Sequence, residues 1–393
     1  MEAISFQRVS KQDSDGTGAI QVVADRVTFE PRPALLLVRQ VSARLATART
    51  FALLVWLTCA IATFPTSTPS LKASPTVEVP LQKDDSVPAS TDTSDRVMAV
   101  SDSHVLTPSQ GDIATVSSCW AGERMRIQEA WQIAGAPRTV LVAILDTGID
   151  THRAGLAERV SDSVNLVQGS DAGDHYGHGT LVAATIAAIA PNSTLLNIKV
   201  ANDRGFCTSA CVAEGIRLAM RRGVAVINLS LEVEPSPELR AATEDAWRKG
   251  IVLVAACGMP DLSCTGPIPA GDVSLRYPAG YPEVIAVAAA SRDGVLSPPS
   301  PRAWWIDVAA PGEKTSVVMS DGIELLLTGT SSAAAHVSGL AALLCGLATD
   351  TNSNGCINDE VRRALECTAQ PIDTEGPGRG IVDARAAVAF VSP

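Results

Sequence analysis

Aromatic residues are scarce in this chain of 393 residues, at 4% of the sequence against 46% for hydrophobic residues as a whole. Large rings therefore cannot fill the core, and alanine, valine, leucine and isoleucine must do so. Positive charge is also in short supply, because 31 Lys and Arg face 42 Asp and Glu, which gives a net charge of −11. The main body has no cluster of basic residues, so we expect no nucleic-acid partner.

The chain also lacks an obvious membrane span, since its N-terminal apolar run over residues 51–64 is shorter than the roughly 20 residues that a spanning helix needs. Arginines without intervening acidic residues precede this run, and the small-residue site Ala60-Ile61-Ala62 lies within its last turn. Such a pattern is typical of a secretory signal. We expect residues 50–64 to direct export and to be cleaved; the alternative is an uncleaved signal anchor that holds the protein in a membrane.

Composition divides the rest of the chain. Residues 1–49 form a leader that is either a cytoplasmic tail or the result of a start assigned too early. Residues 65–118 are rich in Ser, Thr, Pro and Asp, which predicts a disordered linker or a short pro-segment. Residues 119–393 carry the periodic pattern of one folded catalytic domain.

In that domain, apolar runs typical of buried parallel strands alternate with helical stretches. The predicted strands cover residues 139–145, 195–200, 224–231, 251–256 and 284–290. The predicted helices between them cover residues 180–190, 209–222 and 236–249. This alternation predicts an α/β fold with a doubly wound, mainly parallel sheet and helices on both faces. Ligands bind such sheets at the carboxyl ends of the strands.

One serine stands where a long apolar helix is predicted to begin. Ser331 follows Gly329-Thr330 and precedes a small, apolar stretch that runs to Leu347. Alone, it is more simply explained as a helix N-cap. It would be a nucleophile only if a base and an orienting acid were close by.

Candidates for both are present. Asp146 ends the first predicted core strand, and His178 begins a predicted helix between two glycines. Each alone fits a cap or a turn. Together with Ser331 they offer a nucleophile, a base that accepts its proton, and a carboxylate that orients the base.

These segments resemble the subtilisin-like serine proteases, or subtilases, over roughly residues 125–390. Asp146-Thr147-Gly148, His178-Gly179-Thr180 and Gly329-Thr330-Ser331 occur in the order of that family. Further similar segments carry no catalytic residue: 226–231, 277–279, 284–287, 308–312 and 380–384.

The resemblance implies a polypeptide substrate and no required cofactor, and it leaves structural calcium open. We further expect a monomer. Ser331 would be the nucleophile and would give one oxyanion donor through its backbone N–H. His178 would be the general base and then acid, and Asp146 would orient it.

The resemblance also implies where substrate would bind. An extended peptide would lie between Ser230-Leu231-Glu232 and the loop of residues 202–208, which includes Gly205. One wall of the specificity pocket would be formed by Ala255, Ala256, Cys257 and Gly258.

Two departures from the family pattern leave two hypotheses open. Met259 occupies the position of the oxyanion-hole asparagine and cannot donate a hydrogen bond, and Glu232 replaces a glycine of the substrate-binding strand. An intact triad favours an exported serine endopeptidase with a weakened oxyanion hole. The two departures favour a pseudoprotease that binds extended peptides or a partner protein with little turnover.

Cysteine usage agrees with export. Cys59 lies in the signal, and an even set of eight follows: Cys119, Cys207, Cys211, Cys257, Cys264, Cys345, Cys356 and Cys367. We expect these to form disulfides, with a bond between Cys257 and Cys264 among the candidates. The segment Asp350 to Gly355 imitates the start of a calcium loop, but Val361 stands where the loop needs Glu, so it is interpreted as a polar turn.

Overall fold

The computed structural model describes residues 103–105, 120–153, 155–258, 274–298, 300–318, 324–372 and 378–392. The predicted leader and signal lie outside these ranges, as do Met259, Cys119 and Cys264. Within the described ranges, no helix combines the length and the apolar character needed to cross a membrane.

Seven parallel strands form the central sheet, in the order β3-β4-β2-β5-β6-β7-β8. Their bounds are β2 Leu141–Asp146, β3 Val160–Asn165, β4 Thr194–Lys199, β5 Val226–Leu229, β6 Val252–Ala256, β7 Val284–Ala290 and β8 Val308–Pro311. Every residue of β5, β6, β7 and β8 is buried, as expected of strands covered on both faces. The predicted fold class is therefore confirmed.

Eight helices occur among the described residues. They are α1 Trp120–Met125, α2 Ile127–Ala134, α3 His178–Ile189, α4 Ser209–Arg221, α5 Pro237–Arg248, α6 Thr330–Cys345, α7 Asn358–Cys367 and α8 Ala384–Val391. Strand side chains alternate between two cores: Val142 and Ile144 pack with α3 and α6, whereas Ala143 and Leu145 pack with α4 and α5. This period of two places helices on both faces of the sheet.

Local sequence explains where the helices begin. Ser236 caps α5 by accepting a hydrogen bond from Leu239 N at 3.1 Å, and Pro237 takes the first helical position, where proline is favoured. Helix α6 is buried at all sixteen of its residues. Its alanines, serines and glycine let it lie against the sheet and against α3, where Gly339 packs on Ile189.

A second sheet is small and antiparallel, in the order β1-β10-β9. Its strands are β1 Ser103–Val105, β9 Thr315–Val318 and β10 Glu324–Leu327. Strand β1 falls in the segment predicted as a linker or pro-segment, yet Ser103 pairs with Leu327. Because β10 leads into α6 within three residues, this sheet ends directly before the helix that carries Ser331.

The predicted disulfides are not found among the described cysteines. All six of these have free thiols, and Cys257, the predicted partner of Cys264, is one of them: Cys207, Cys211, Cys257, Cys345, Cys356 and Cys367. Burial raises the pKa of Cys207, Cys257 and Cys345 to about 12. These three thiols stay protonated at neutral pH and react slowly with oxidants and thiol reagents.

Candidate active site

The three predicted catalytic residues stand at the starts and ends of core elements. Asp146 is the last residue of β2, His178 is the first residue of α3, and Ser331 is the second residue of α6. Because a strand points its carboxyl end at one edge of a parallel sheet and helices begin there, this topology directs all three to that edge.

Asp146 and His178 form a buried pair. Nδ1 of His178 lies 2.8 Å from Oδ1 of Asp146, and their side chains are 0% and 1% exposed. The same carboxylate oxygen accepts a hydrogen bond from Thr147 N at 2.7 Å. Since a carboxylate only accepts, Nδ1 carries a proton, and in the neutral ring the lone pair is therefore on Nε2. Among the described residues, that Nε2 is buried and has no hydrogen-bond partner, which is the state a general base requires.

The start of α3 is fixed by Asp174, which the sequence did not single out. One oxygen of Asp174 accepts hydrogen bonds from Gly177 N at 2.7 Å and from Thr147 Oγ1 at 2.8 Å. The other accepts from the backbone N of Thr180 at 2.8 Å and from its hydroxyl at 2.6 Å. An acidic residue shortly before a helix is a recognisable capping signal. Asp174 therefore joins the β2 turn to the helix that presents the imidazole.

Gly179 permits this close approach. A Cβ added there would overlap the carbonyl oxygen of Gly148 and lie 3.1 Å from Cβ of Asp146. Its backbone N donates to Thr147 Oγ1 at 3.0 Å. The residue after the histidine must be glycine for His178 to reach Asp146.

A fully buried lysine lies beside the pair. Lys199 ends β4 in register with Asp146, and its Nζ donates to the carbonyl oxygen of Thr147 and pairs with Asp203 Oδ1 at 2.9 Å. This contact holds the pKa of Asp203 below its usual range. Lys199 thus links the Asp146 turn to the loop of residues 202–208. The sequence feature that could have indicated this role is a lysine at the end of an otherwise apolar strand.

Ser331 contacts the predicted substrate strand. Its hydroxyl donates to the carbonyl oxygen of Ser230 at 3.2 Å, and Ser230 Oγ donates to the carbonyl oxygen of Ser331 at 3.0 Å. The second contact is buttressed by Asn228, whose Nδ2 donates to Ser230 Oγ at 3.0 Å, and by Ser338, which donates to Asn228 Oδ1 at 2.8 Å. Two turns of α6 are thereby tied to the end of β5.

The predicted substrate-binding residues follow neighbouring strands. Ser230, Leu231 and Glu232 come after β5, while Ala255 and Ala256 end β6. The two strands pair up to Leu229 and Ala255.

Gly258 follows the end of β6, and the ion pair of Glu232 and Arg276 lies against its backbone. Gly205, in the opposite loop, packs on the ring of Tyr176, two residues before His178.

A second histidine is buried in α6. Nδ1 of His336 donates to the carbonyl oxygen of Ser332 at 2.8 Å, and burial lowers the pKa of His336 to about 4. This ring is therefore neutral at physiological pH.

No group of three or more His, Cys, Asp or Glu side chains placed to hold a metal ion occurs in the described part of the chain. In the calcium-like segment, Asp350 instead accepts hydrogen bonds from the backbone N of Ser353 at 2.6 Å and of Gly355 at 2.8 Å. These are the contacts of a polar turn before α7.

Comparison with known proteins gives a consistent result. The sequence profile of the subtilase family matches residues 138–386. Thermitase of Thermoactinomyces vulgaris is 33% identical over 282 residues, which is 68% of this chain and 95% of thermitase. Subtilisin DY of Bacillus licheniformis is 34% identical over 260 residues, 63% of this chain and 90% of the relative. A thermophilic serine proteinase of Bacillus sp. (strain AK1) is 34% identical over 259 residues, 63% of this chain and 60% of that protein.

Proposed function

Because the chain belongs to the subtilase family of serine endopeptidases, we propose that it hydrolyses peptide bonds through a triad of Ser331, His178 and Asp146. The observation that carries this proposal is the buried contact of 2.8 Å between His178 Nδ1 and Asp146 Oδ1, which fixes the tautomer of the neutral ring with its lone pair on Nε2. A neutral imidazole held in this tautomer can take the proton of a serine hydroxyl.

Acylation then follows from these atoms. Ser331 Oγ turns from the carbonyl oxygen of Ser230 toward Nε2, transfers its proton there, and bonds to the carbonyl carbon of the substrate. The carbonyl electrons move onto oxygen, and the imidazolium is stabilised by Asp146. When the C–N bond breaks, Nε2 returns the proton to the departing amine, and an ester to Ser331 remains.

Deacylation repeats these steps with water in place of the serine hydroxyl as the nucleophile. Nε2 accepts a proton from the attacking water, the new C–O bond forms, and the proton returns to Ser331 Oγ as the ester breaks. Every proton and bond in these steps is accounted for by the substrate, one water molecule, Ser331 and His178, so the proposed chemistry uses no cofactor.

The test uses a fluorophosphonate, which reacts only with an activated serine. We expect one label per chain, located on Ser331 by mass spectrometry and absent from Ser331→Ala. Ser193→Ala is the control, because the Ser193 hydroxyl donates to the carbonyl oxygen of Ala190, at the end of α3 opposite to His178, and this variant should still be labelled. Absence of label from the unaltered protein would rule out the nucleophile.

We further propose that the oxyanion hole is weakened, since methionine at position 259 offers no donor to the developing charge. Met259→Asn is then expected to raise kcat on a peptide substrate, by up to about 100-fold, because a donor of this kind acts chiefly on the transition state. An unchanged kcat in an already rapid enzyme would show that another group serves as the donor.

Export is proposed from the basic and apolar residues before position 65. Expression with the native leader should yield protein in the medium or periplasm whose first residue, found by N-terminal sequencing, lies beyond Ala62. Recovery of the intact chain in the membrane fraction would instead support the signal anchor.

A peptide-binding pseudoprotease is the second candidate. It is favoured by the hydroxyl of Ser331, which donates to Ser230 O, and by the acidic side chain of Glu232 in the binding strand. Tight binding of peptides by a protein that takes up no fluorophosphonate would support this candidate over the protease.

A further inference from the structure

An ion pair lies where a peptide-binding cleft would be expected to be open. Nη1 of Arg276 contacts the two carboxylate oxygens of Glu232 at 3.0 Å and 3.3 Å. The side chains are 14% and 17% exposed, so the pair is mostly withdrawn from solvent. The sequence singles out Glu232, as a departure from the family pattern, but not Arg276.

The pair occupies the space between two strand ends. Strands β5 and β6 pair side by side as far as Leu229 and Ala255, and beyond that point the chain continues toward Glu232 on one side and Gly258 on the other. A Cβ added to Gly258 would overlap a carboxylate oxygen of Glu232 and lie 2.7 Å from Cδ of Arg276. Both side chains therefore rest directly on the backbone of Gly258.

This space is close to the nucleophile. The carbonyl oxygen of Ser230 accepts a hydrogen bond from Ser331 Oγ at 3.2 Å, and Glu232 is two residues farther along. Two residues of extended chain span roughly 7 Å, which is about the reach of one side chain. Backbone contacts hold the arginine in place, because Val233 N donates to the carbonyl oxygen of Tyr277 at 2.9 Å, next to Arg276.

We propose that the Glu232–Arg276 pair fills the pocket for the substrate residue on the amino side of the scissile bond, and thereby restricts cleavage to bonds that follow alanine, glycine or serine. The proposal rests on the protease function argued above. A large substrate side chain would have to separate or displace two mostly buried charges, which is costly. A charged side chain would gain no advantage, since each pocket charge already has a partner. Specificity here comes from exclusion rather than from attraction.

The test compares peptides that are identical except at this residue, which is Ala, Leu, Phe, Glu or Lys. The unaltered protein should prefer Ala to Phe by about tenfold or more in kcat/KM, the range expected when a pocket differs by a few carbon atoms. The double substitution Glu232→Gly with Arg276→Gly, called the glycine pair below, should abolish or reverse this preference. Both residues are changed together because a single change leaves a buried charge without its partner.

Two control proteins distinguish the effect of side-chain volume in the pocket from the effect of the two charges, and both from effects of any double substitution. Glu232→Gln with Arg276→Met keeps the volume without the charges and should keep the preference for Ala. Asp245→Ala with Arg248→Ala removes an exposed ion pair on α5 and should change nothing. If the glycine pair does not fold, Glu232→Ser with Arg276→Ser shortens both side chains and carries the same expectation.

Binding measured without chemistry distinguishes failure of this inference from failure of the protease function. The same peptides are titrated by calorimetry onto Ser331→Ala proteins with and without the glycine pair. A preference for Ala that the glycine pair removes supports the filled pocket, even if no fluorophosphonate label is found on Ser331. Equal cleavage or binding of Ala and Phe peptides by the unaltered pocket would overturn the proposal, and so would a preference that survives the glycine pair.

Discussion

The surroundings of His178 and of His336 differ in one partner. Both rings are buried, and each Nδ1 lies 2.8 Å from an oxygen. Among the described residues, neither Nε2 has a hydrogen-bond partner. For His178 the oxygen belongs to the carboxylate of Asp146, whereas for His336 it belongs to the peptide carbonyl of Ser332.

This single difference separates the proposed general base, His178, from a ring with a structural role, His336. A carbonyl offers only a dipole, so burial dominates and lowers the pKa of His336 to about 4. A carboxylate offers a full negative charge, which can stabilise an imidazolium while a proton is in transit. Burial and an Nε2 without a partner are common to both rings, so they do not suit a histidine to catalysis. What does is a carboxylate hydrogen-bonded to Nδ1.

Removal of that charge should have the largest effect. In Asp146→Asn, the amide can donate to Nδ1, which places the ring proton on Nε2, where it cannot accept the serine proton. We expect kcat to fall by about 10⁴-fold, the loss found when another serine protease undergoes this change. Peptide hydrolysis measures it, with Asp245→Asn on the exposed face of α5 as the control. A loss below about tenfold would contradict the role given to the pair.

The titration of His336 should affect folding rather than catalysis. Its pKa is about 4 in the folded protein against 6.5 for a solvent-exposed imidazole, so between these pH values the unfolded chain binds a proton that the folded chain does not. Its favourable contribution is complete above pH 6.5 and is lost as the pH falls to 4. By linkage this amounts to about 3 kcal/mol in the free energy of unfolding.

Denaturant unfolding at several pH values measures this contribution. His336→Gln should flatten the dependence between pH 6.5 and 4, and His152→Gln, at an exposed position, should not. Equal slopes in the unaltered protein and in His336→Gln would show that other groups control acid stability.

A smaller effect is expected from the support of the His178 pair. Asp174→Ala removes the bonds that join Thr147, Gly177 and Thr180, so the start of α3 can shift against Asp146. A misplacement of about 1 Å can cost up to 100-fold in rate, and we expect a fall in kcat of about tenfold to 100-fold with little change in KM. Asp171→Ala is the matched control, since the hydrogen bonds of this exposed neighbour to described residues stay within its own turn. A loss confined to KM would assign Asp174 to substrate binding instead.

The fold and the contact between Asp146 and His178 could be predicted because their signals are local. Asp146 and His178 each sit at the end of a strong apolar pattern, next to glycines that a tight turn requires. Strand β3 was missed because it is an edge strand with half-exposed residues, which leaves no continuous apolar run.

The residues that support the site were missed because their roles depend on distant contacts. Arg276 acts through Glu232, 44 positions away, and Lys199 through Thr147, 52 positions away. From the sequence alone, a charged residue is expected to be exposed, and only the fold shows that it is buried. The six described cysteines have free thiols for a related reason: an even count indicates pairing, but only geometry decides whether two sulfurs meet.

The burial of every residue of α6 has a consequence for how long an active molecule survives. Amide hydrogens in a helix without an exposed face exchange with solvent only when much of the domain opens. The same opening would expose the chain to cleavage by neighbouring copies of a protease. Displacement of Ser331, the proposed nucleophile, and susceptibility to digestion therefore arise from one event, so a copy that begins to unfold would lose activity as it becomes a substrate.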